Sequence, residues 1–239
     1  ANAALSSGTG TFSLRLNTAG SWTVTATDVT DGSKTANTSS AIPVNLGAFA
    51  HLQLLLPGEM AAPGTPTGRT GTPTAQTAGT GYSVTVNAVD DNWNLIDIND
   101  TVAISSSDAN ASLPANAALS AGSGTFSLTN KTAGSWTVTA ADVTQAGITA
   151  GTSTSFTVNP GAFAKLQLLV PGETAAPGTL TGKAGTATAQ NTDTPFDVTA
   201  NAVDDNWNVV PTVGDTVAIT ASDPSASLPA NAALGGGTR

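Results

Sequence analysis

The sequence predicts an all-β chain built from tandem β-sandwich domains, and three observations carry this prediction. Short runs of alternating apolar and polar residues recur along the chain, as expected of half-buried strands. Clusters of Pro, Gly, Thr and Asn separate these runs, and no stretch of helical length has a 3.6-residue period. Long blocks of the sequence also repeat at a spacing of 114 residues, which is the size of one ordinary domain.

The repeat fixes the expected domain boundaries. Gly47-Ala-Phe-Ala returns at Gly161, and the motif Ala-Val-Asp-Asp-Asn-Trp-Asn occurs at 88–94 and again at 202–208. The motif Ala-Asn-Ala-Ala-Leu opens the chain at Ala1 and recurs near its end. We therefore expect a stretch of a longer array, divided into the C-terminal half of one repeat (1–46), a complete repeat (47–160) and the N-terminal half of a third (161–239).

The complete repeat contains about seven strand-like runs. The apolar positions of these runs are expected to share the inward face: Ala50, Leu52, Leu54, Tyr82, Val84, Val86, Ala88, Val102, Ile104, Phe126, Leu128, Trp136, Val138, Ala140, Phe156 and Val158. Gln53 falls on the opposite, solvent-facing phase, and the Pro/Gly segment 57–73 is expected to form an extended excursion at a sheet edge. Seven strands in about 110 residues is typical of a two-sheet sandwich with Greek-key connections, whereas a solenoid would need a repeat of about 20–30 residues.

The composition excludes several classes of function. Charged residues make up 10% of the chain, the net charge is −9, and the seven basic residues are scattered singly. No nucleic acid or anionic membrane is therefore expected as a partner. The absence of Cys excludes disulfides and thiolate sites, and no apolar run approaches 18 residues, so membrane insertion is not expected in this segment.

Three motifs together resemble a known family. They are the Gly-Ala-Phe-Ala opening, the strand ending in Val-Asp-Asp-Asn-Trp-Asn, and the strand Thr-Ala-Gly-Ser-Trp-Thr-Val-Thr-Ala. The chain resembles the bacterial immunoglobulin-like domains of invasin/intimin-type proteins and other large surface repeat proteins. The resemblance implies tandem immunoglobulin-like Greek-key β-sandwich domains at an extracellular or bacterial cell-surface location.

Catalysis is not expected. The single histidine, His51, is replaced by Lys165 in the next repeat. The two glutamates, Glu59 and Glu173, occupy one position in two copies, so they cannot flank one glycosidic bond as paired carboxylates must.

The Asp-Asp-Asn-Trp-Asn loop is the sharpest candidate site. Asp90, Asn92 and Asn94 have the spacing of the first half of a calcium loop, and Asp91 adds a carboxylate. Asp142, in the loop between the last two strands, is expected to approach them. The second copy of the candidate Ca²⁺ ligands is Asp204, Asp205, Asn206 and Asn208. The alternative is that Asp and Asn form Asx turns that stabilise the loop without metal.

Aromatic residues mark the same end of the repeat. Phe49, Trp93, Phe163 and Trp207 are expected to pack against the preceding domain and stiffen the junction, across linkers of about two residues. The alternative for Trp93 is that it covers the core edge of its own domain. Trp136 and its copy Trp22 alternate with apolar residues and are expected in the core.

Two functions follow from these patterns. The first is a structural segment that forms a stalk, fibre or filament, with neighbouring repeats and possible identical chains as partners. The alternative is an adhesive module that recognises a glycan or host receptor through its loops. The near-identity of the loops in successive copies favours the structural function.

Overall fold

The computed structural model describes residues 3–239 and confirms the predicted all-β fold. Ala1 and Asn2, which open the repeated Ala-Asn-Ala-Ala-Leu motif, lie outside the described residues. Across the described part of the chain, no helix is long and apolar enough to cross a bilayer. Below, residues 3–46 are called the first segment, 47–160 the central unit and 161–239 the last segment. The domain boundaries at 46/47 and 160/161 stay predictions.

The strands of the first segment are β1 (Gly20–Trp22), β2 (Thr25–Ala26), β3 (Asn37–Thr38) and β4 (Ile42–Val44). Those of the central unit are β5 (His51–Leu55), β6 (Glu59–Ala61), β7 (Arg69–Gly71), β8 (Gln76–Thr77), β9 (Tyr82–Val89), β10 (Thr101–Ser106), β11 (Ala117–Ala118), β12 (Ser123–Leu128), β13 (Gly134–Trp136), β14 (Val138–Asp142), β15 (Gly151–Thr152) and β16 (Phe156–Asn159). The last segment has β17 (Lys165–Leu169), β18 (Glu173–Ala175), β19 (Lys183–Gly185), β20 (Thr199–Val203), β21 (Thr216–Val217) and β22 (Ala232–Ala233).

The central unit is a sandwich of two layers. One sheet has the order β12-β9-β5, and the other has the order β11-β10-β14-β15. The group β13-β16-β8 extends the second layer where β13 leads into β14, and β8 joins β16 in parallel. Consecutive strands cross between the layers, which is the Greek-key order of immunoglobulin-like sandwiches.

The core lies between these layers. Seventeen buried hydrophobic residues form one cluster, and all of them belong to the central unit. The alternating positions of β9 supply Val84, Val86 and Ala88, each fully shielded from solvent. Trp136 packs against this cluster as a partly buried side chain, while its copy Trp22 in the first segment is exposed.

The linker is longer than the sequence predicts. Residues 45–50 separate β4 from β5, where about two residues were expected. Regular pairing of β5 begins at His51, although the Ala50 amide already donates to the Val89 carbonyl at 3.0 Å. The linker is nevertheless held, because Gly47 is bound by the loop described below.

The solvent-facing assignment of Gln53 is wrong. Its side chain is 1% exposed because the Pro/Gly segment folds over the outer face of the sheet as the hairpin β6-β7. Gln53 Nε2 donates to the Gly68 carbonyl at 2.7 Å, Asn87 Nδ2 donates to Gln53 Oε1 at 2.9 Å, and Ser123 Oγ donates to Asn87 Oδ1 at 2.7 Å. These three residues form a polar ladder that ties the hairpin to three strands.

Candidate functional site: the Asp-Asn loops between repeats

The loop after β9 is folded around one buried carboxylate. Asp90 is 2% exposed, and its Oδ1 accepts the amides of Asn92 and Asn94, both at 2.9 Å. Asn94 Nδ2 also donates to both carboxylate oxygens, at 3.1 and 3.0 Å. Trp93, between them, has a φ of 66°, in the left-handed region that the tight turn requires. The arrangement is the Asx turn of the second interpretation.

The same carboxylate fixes the linker that enters the central unit. The Gly47 amide donates to Asp90 Oδ2 at 2.9 Å. Burial raises the pKa of Asp90, but the hydrogen bonds from Gly47, Asn94 and Asn92 outweigh it and hold that pKa below its usual value. The ionised form is therefore the one that this loop stabilises.

Asn94 carries the contact across the junction. Its Oδ1 accepts the Ala19 amide at 2.9 Å, and its Nδ2 donates to the Asn17 carbonyl at 3.0 Å. Both partners belong to the first segment. One buried side chain therefore bonds to its own loop and to the preceding repeat at the same time.

The second junction repeats this geometry. Asn208 Oδ1 accepts the Ala133 amide at 2.7 Å, and Asn208 Nδ2 donates to the Lys131 carbonyl at 2.9 Å. Asp204 Oδ2 accepts the Gly161 amide at 2.8 Å. Every bond that crosses the first junction through Asn94 thus has its counterpart one repeat later.

The receiving turn is itself held by a buried carboxylate. Asp108, 3% exposed, accepts the amides of Lys131 and Thr132 at 2.9 and 3.1 Å. Nearby, Asn110 Nδ2 donates to the Pro177 carbonyl at 3.2 Å, which adds a further bond across the second junction. The turn that accepts Asn208 is therefore positioned before the next repeat docks.

The tryptophans of these loops contact their own repeats. Trp93 stacks on His51 with ring centroids 5.5 Å apart, and His51 Nε2 lies 3.0 Å from Asp91 Oδ1. The Trp93 ring also lies so close to Gly68, whose φ is 70°, that any side chain at that position would enter the ring. These contacts correspond to the alternative in which Trp93 covers its own domain; its packing against the preceding repeat stays a prediction.

The last segment makes the equivalent contacts with different chemistry. The Lys165 ammonium lies 3.7 Å from the centre of the Trp207 ring and donates to the Asp205 carbonyl at 3.0 Å. A cation over an indole face thus replaces the stacked imidazole. Phe49 packs against the core of the central unit, and its copy Phe163 is 39% exposed; an interdomain role for either stays a prediction.

The predicted calcium ligands are arranged by hydrogen bonds. Asp142 lies beside Asp100, where burial, followed by the Asp142 charge, raises the pKa of Asp100, and Asp142 Oδ1 accepts the amides of Thr144 and Gln145. Within residues 3–239, no three His, Cys, Asp or Glu side chains are grouped so that they could hold a metal ion. Calcium binding by these loops stays a prediction.

Sequence reasoning missed the receiving side of the junction. The segments Asn17–Ala19 and Lys131–Ala133 precede the repeated Gly-Ser-Trp motif and were interpreted as the start of a strand. The available signal was their recurrence at 114 residues together with a buried Asp partner, but Asp108 has the sequence context of an ordinary turn residue.

Comparisons with known proteins add little to this geometry. No protein-family model and no curated protein matches the chain. Among solved structures, the S-layer protein rSbsC(31-844) is 13% identical over 90% of this chain and 24% of its own length, with a TM-score of 0.33. The domain 5–6 fragment of SbsC is 17% identical over 67% of this chain and 79% of its own, with a TM-score of 0.28. Parabacteroides merdae β-glucuronidase is 12% identical over 52% of this chain and 15% of its own, with a TM-score of 0.33. At these values the likenesses carry no argument about function.

Proposed function

We propose that this chain is a structural repeat segment of a secreted or cell-surface bacterial protein, and that its units form an extended stalk, fibre or filament. The observation that carries the proposal is the identical joint at both junctions. At each one, an Asp carboxylate binds the entering linker and an Asn amide binds the preceding repeat.

Such a joint restricts bending. The two bonds of Asn94 act on one backbone turn from a single buried side chain, so rotation of the preceding repeat must break both. A net contribution of about 1 kcal/mol per hydrogen bond is modest for folding. It suffices to hold neighbouring units in one orientation when the same bonds recur at every junction.

The use of the loops inside the junction supports a structural function over a recognition function. Asp90 and Asn94 are buried, and their polar atoms are engaged within the chain. Membership of the invasin/intimin-type immunoglobulin-like family and a bacterial surface location are part of the proposal.

The proposal includes the absence of catalysis by this segment. Both glutamates are engaged in ion pairs, Glu59 with Arg69 at 3.3 Å and Glu173 with Lys183 at 2.9 Å. These pairs support a role for each Glu in fastening the hairpins β6-β7 and β18-β19.

Small-angle scattering of a double variant tests the joint. Asn94→Ala with Asn208→Ala removes the bonds across both junctions, and we expect a broader distribution of maximum dimensions while circular dichroism stays unchanged. The matched control is Asn92→Ala, whose side chain is not used in the first junction. Scattering curves that coincide for wild type and the double variant would reject the joint.

A further inference from the structure

The last segment exposes an apolar face that the central unit buries. Leu166 and Leu168 are 49% and 41% exposed, whereas their counterparts Leu52 and Leu54 are 1% and 0% exposed. A cleft of about 160 Å³ opens on this face, lined by Leu166, Gln167, Leu168, Ala200, Val217, Ala218, Ile219 and Thr220. The face is the interior of a sandwich that is incomplete within residues 161–239.

The missing part can be named from the central unit. Strands β17, β20 and β21 correspond to β5, β9 and β10. Residues 125–160 of the central unit, which contain most of β12 and all of β13 to β16, have no counterpart within 161–239.

The first segment contains that counterpart. Residues 11–46 align with 125–160 at the repeat spacing of 114. Their apolar side chains are also uncovered: Phe12 and Leu14 are 54% and 57% exposed, whereas Phe126 and Leu128 are 4% and 2% exposed. No residue among 3–46 is buried. Two incomplete sandwiches in one chain thus expose complementary halves of the same core.

We propose that residues 11–46 of one chain complete the last segment of a second copy of this chain. The central unit gives the register: Phe126 pairs with Val84 and Leu128 with Tyr82. The corresponding pairs between copies are Phe12 with Val198, Leu14 with Phe196 and, in the other sheet, Ala26 with Ile219. The last pair is transferred from Ala140 and Ile104.

The last segment already holds the start of the strand that the second copy continues. Thr238 pairs with Asn201, and its Oγ1 donates to Asn201 Oδ1 at 2.6 Å, as Ser123 does to Asn87. Arg239 continues this pairing through hydrogen bonds with Ala200 in both directions. Thr11 of the second copy would follow as the next position of the same strand.

The two halves of one chain are kept apart by the central unit. Among residues 3–239, no hydrogen bond joins the first segment to the last. Different surfaces of the two copies meet, so the contact is heterologous and propagates head to tail. The inference goes beyond the joint within one chain, and its failure would leave the scattering result for Asn94 and Asn208 intact.

Disulfide trapping tests the register directly, because the chain has no cysteine. Ser83 and Ser127 lie opposite each other with their Oγ atoms 3.0 Å apart, a spacing that suits a disulfide between the corresponding positions. A Ser13→Cys chain mixed with an Asp197→Cys chain is expected to form covalent heterodimers on mild oxidation. A Ser33→Cys chain is the control at an exposed site outside the pairing. Absence of crosslinking, or equal crosslinking with the control, overturns the proposal.

Sedimentation tests the stoichiometry. Phe12→Asp disables the donor half and Leu168→Asp the acceptor half, so each variant alone is expected to be monomeric where wild type forms concentration-dependent oligomers. An equimolar mixture retains one donor and one acceptor and is expected to stop at a 1:1 dimer, which also shows that both variants are folded. A chain with residues 11–46 appended after Arg239 fills its own acceptor and is expected to be monomeric. Wild type that is monomeric at all concentrations, or oligomers that persist in both variants, contradicts the proposal.

Discussion

At the residue scale, Asp90 and Asp91 are adjacent carboxylates with opposite surroundings. Asp90 is buried under amide donors, whereas the Asp91 side chain is 83% exposed and contacts His51. We expect Asp90→Ala to lower the free energy of unfolding of the central unit by about 2–3 kcal/mol, because several buried donors lose a charged acceptor. Asp91→Ala is expected to change it by less than about 0.5 kcal/mol. Urea unfolding followed by tryptophan fluorescence measures both; equal losses would contradict the assigned roles.

The Asp90 carboxylate also predicts an acid dependence. Its pKa is lower in the folded chain than its usual value, so its contribution is present above about pH 4 and is lost as pH falls through the folded pKa. The stability difference between wild type and Asp90→Asn should therefore shrink on acidification. A difference that is constant down to about pH 2, where the unfolded carboxyl is protonated, would show that the charge contributes nothing.

Asp100 predicts the opposite sign. Burial and the neighbouring Asp142 raise its pKa, so any stabilising contribution is present below the unfolded pKa and is lost as pH rises through the folded pKa. Asp100→Asn is expected to raise the unfolding midpoint at neutral pH and to give no gain near pH 3, where the wild-type carboxyl is protonated in both states. The control is Asn at the exposed Asp97. A neutral-pH midpoint that is unchanged or lowered would contradict the repulsion.

At the element scale, the polar ladder under the hairpin β6-β7 makes a stability prediction. Gln53→Ala leaves the Gly68 carbonyl and Asn87 Nδ2 without their buried partner, which costs about 1–3 kcal/mol for each unsatisfied group. Ser83→Ala removes an exposed cross-strand contact to Ser127 and is the control. Thermal unfolding should separate the two variants; a midpoint for Gln53→Ala equal to that of Ser83→Ala would contradict the ladder.

Strands and their inward faces were predictable because the period-2 pattern is a direct consequence of strand geometry. Val84 and Val86 alternate with polar residues, and the structure buries them. Gln53 was not predictable from this pattern, because its burial depends on a hairpin that folds back over the opposite face. A local period carries no information about a covering segment elsewhere in the chain.

The candidate loop was predictable in position but not in partners. Repetition singled out Asp90 and Asn94, and their residue types fit either a cation or amide donors. The choice between these depends on which backbone amides come near. The structure supplies them from Gly47 and Ala19, which lie far from the loop in sequence.

At the scale of the whole molecule, hydrogen-bonded junctions predict insensitivity to chelation. Since both Asp90 oxygens accept N–H donors, we expect the unfolding midpoint to be the same in EDTA and in millimolar CaCl₂. Calorimetry of the wild-type chain measures it. A midpoint that rises with calcium and falls on Asp90→Asn would instead support the calcium interpretation of these loops.

The central claim is that consecutive repeats are held in one orientation by the Asp-Asn joint. The most direct test is the distance distribution between spin labels at Thr125→Cys and Thr199→Cys, two exposed strand positions on either side of the second junction, with the labelled chain diluted in unlabelled chain. We predict one narrow distance that broadens on Asn208→Ala, which removes the bonds to Ala133 and Lys131. A broad wild-type distribution, or a narrow one that Asn208→Ala leaves unchanged, would contradict the claim.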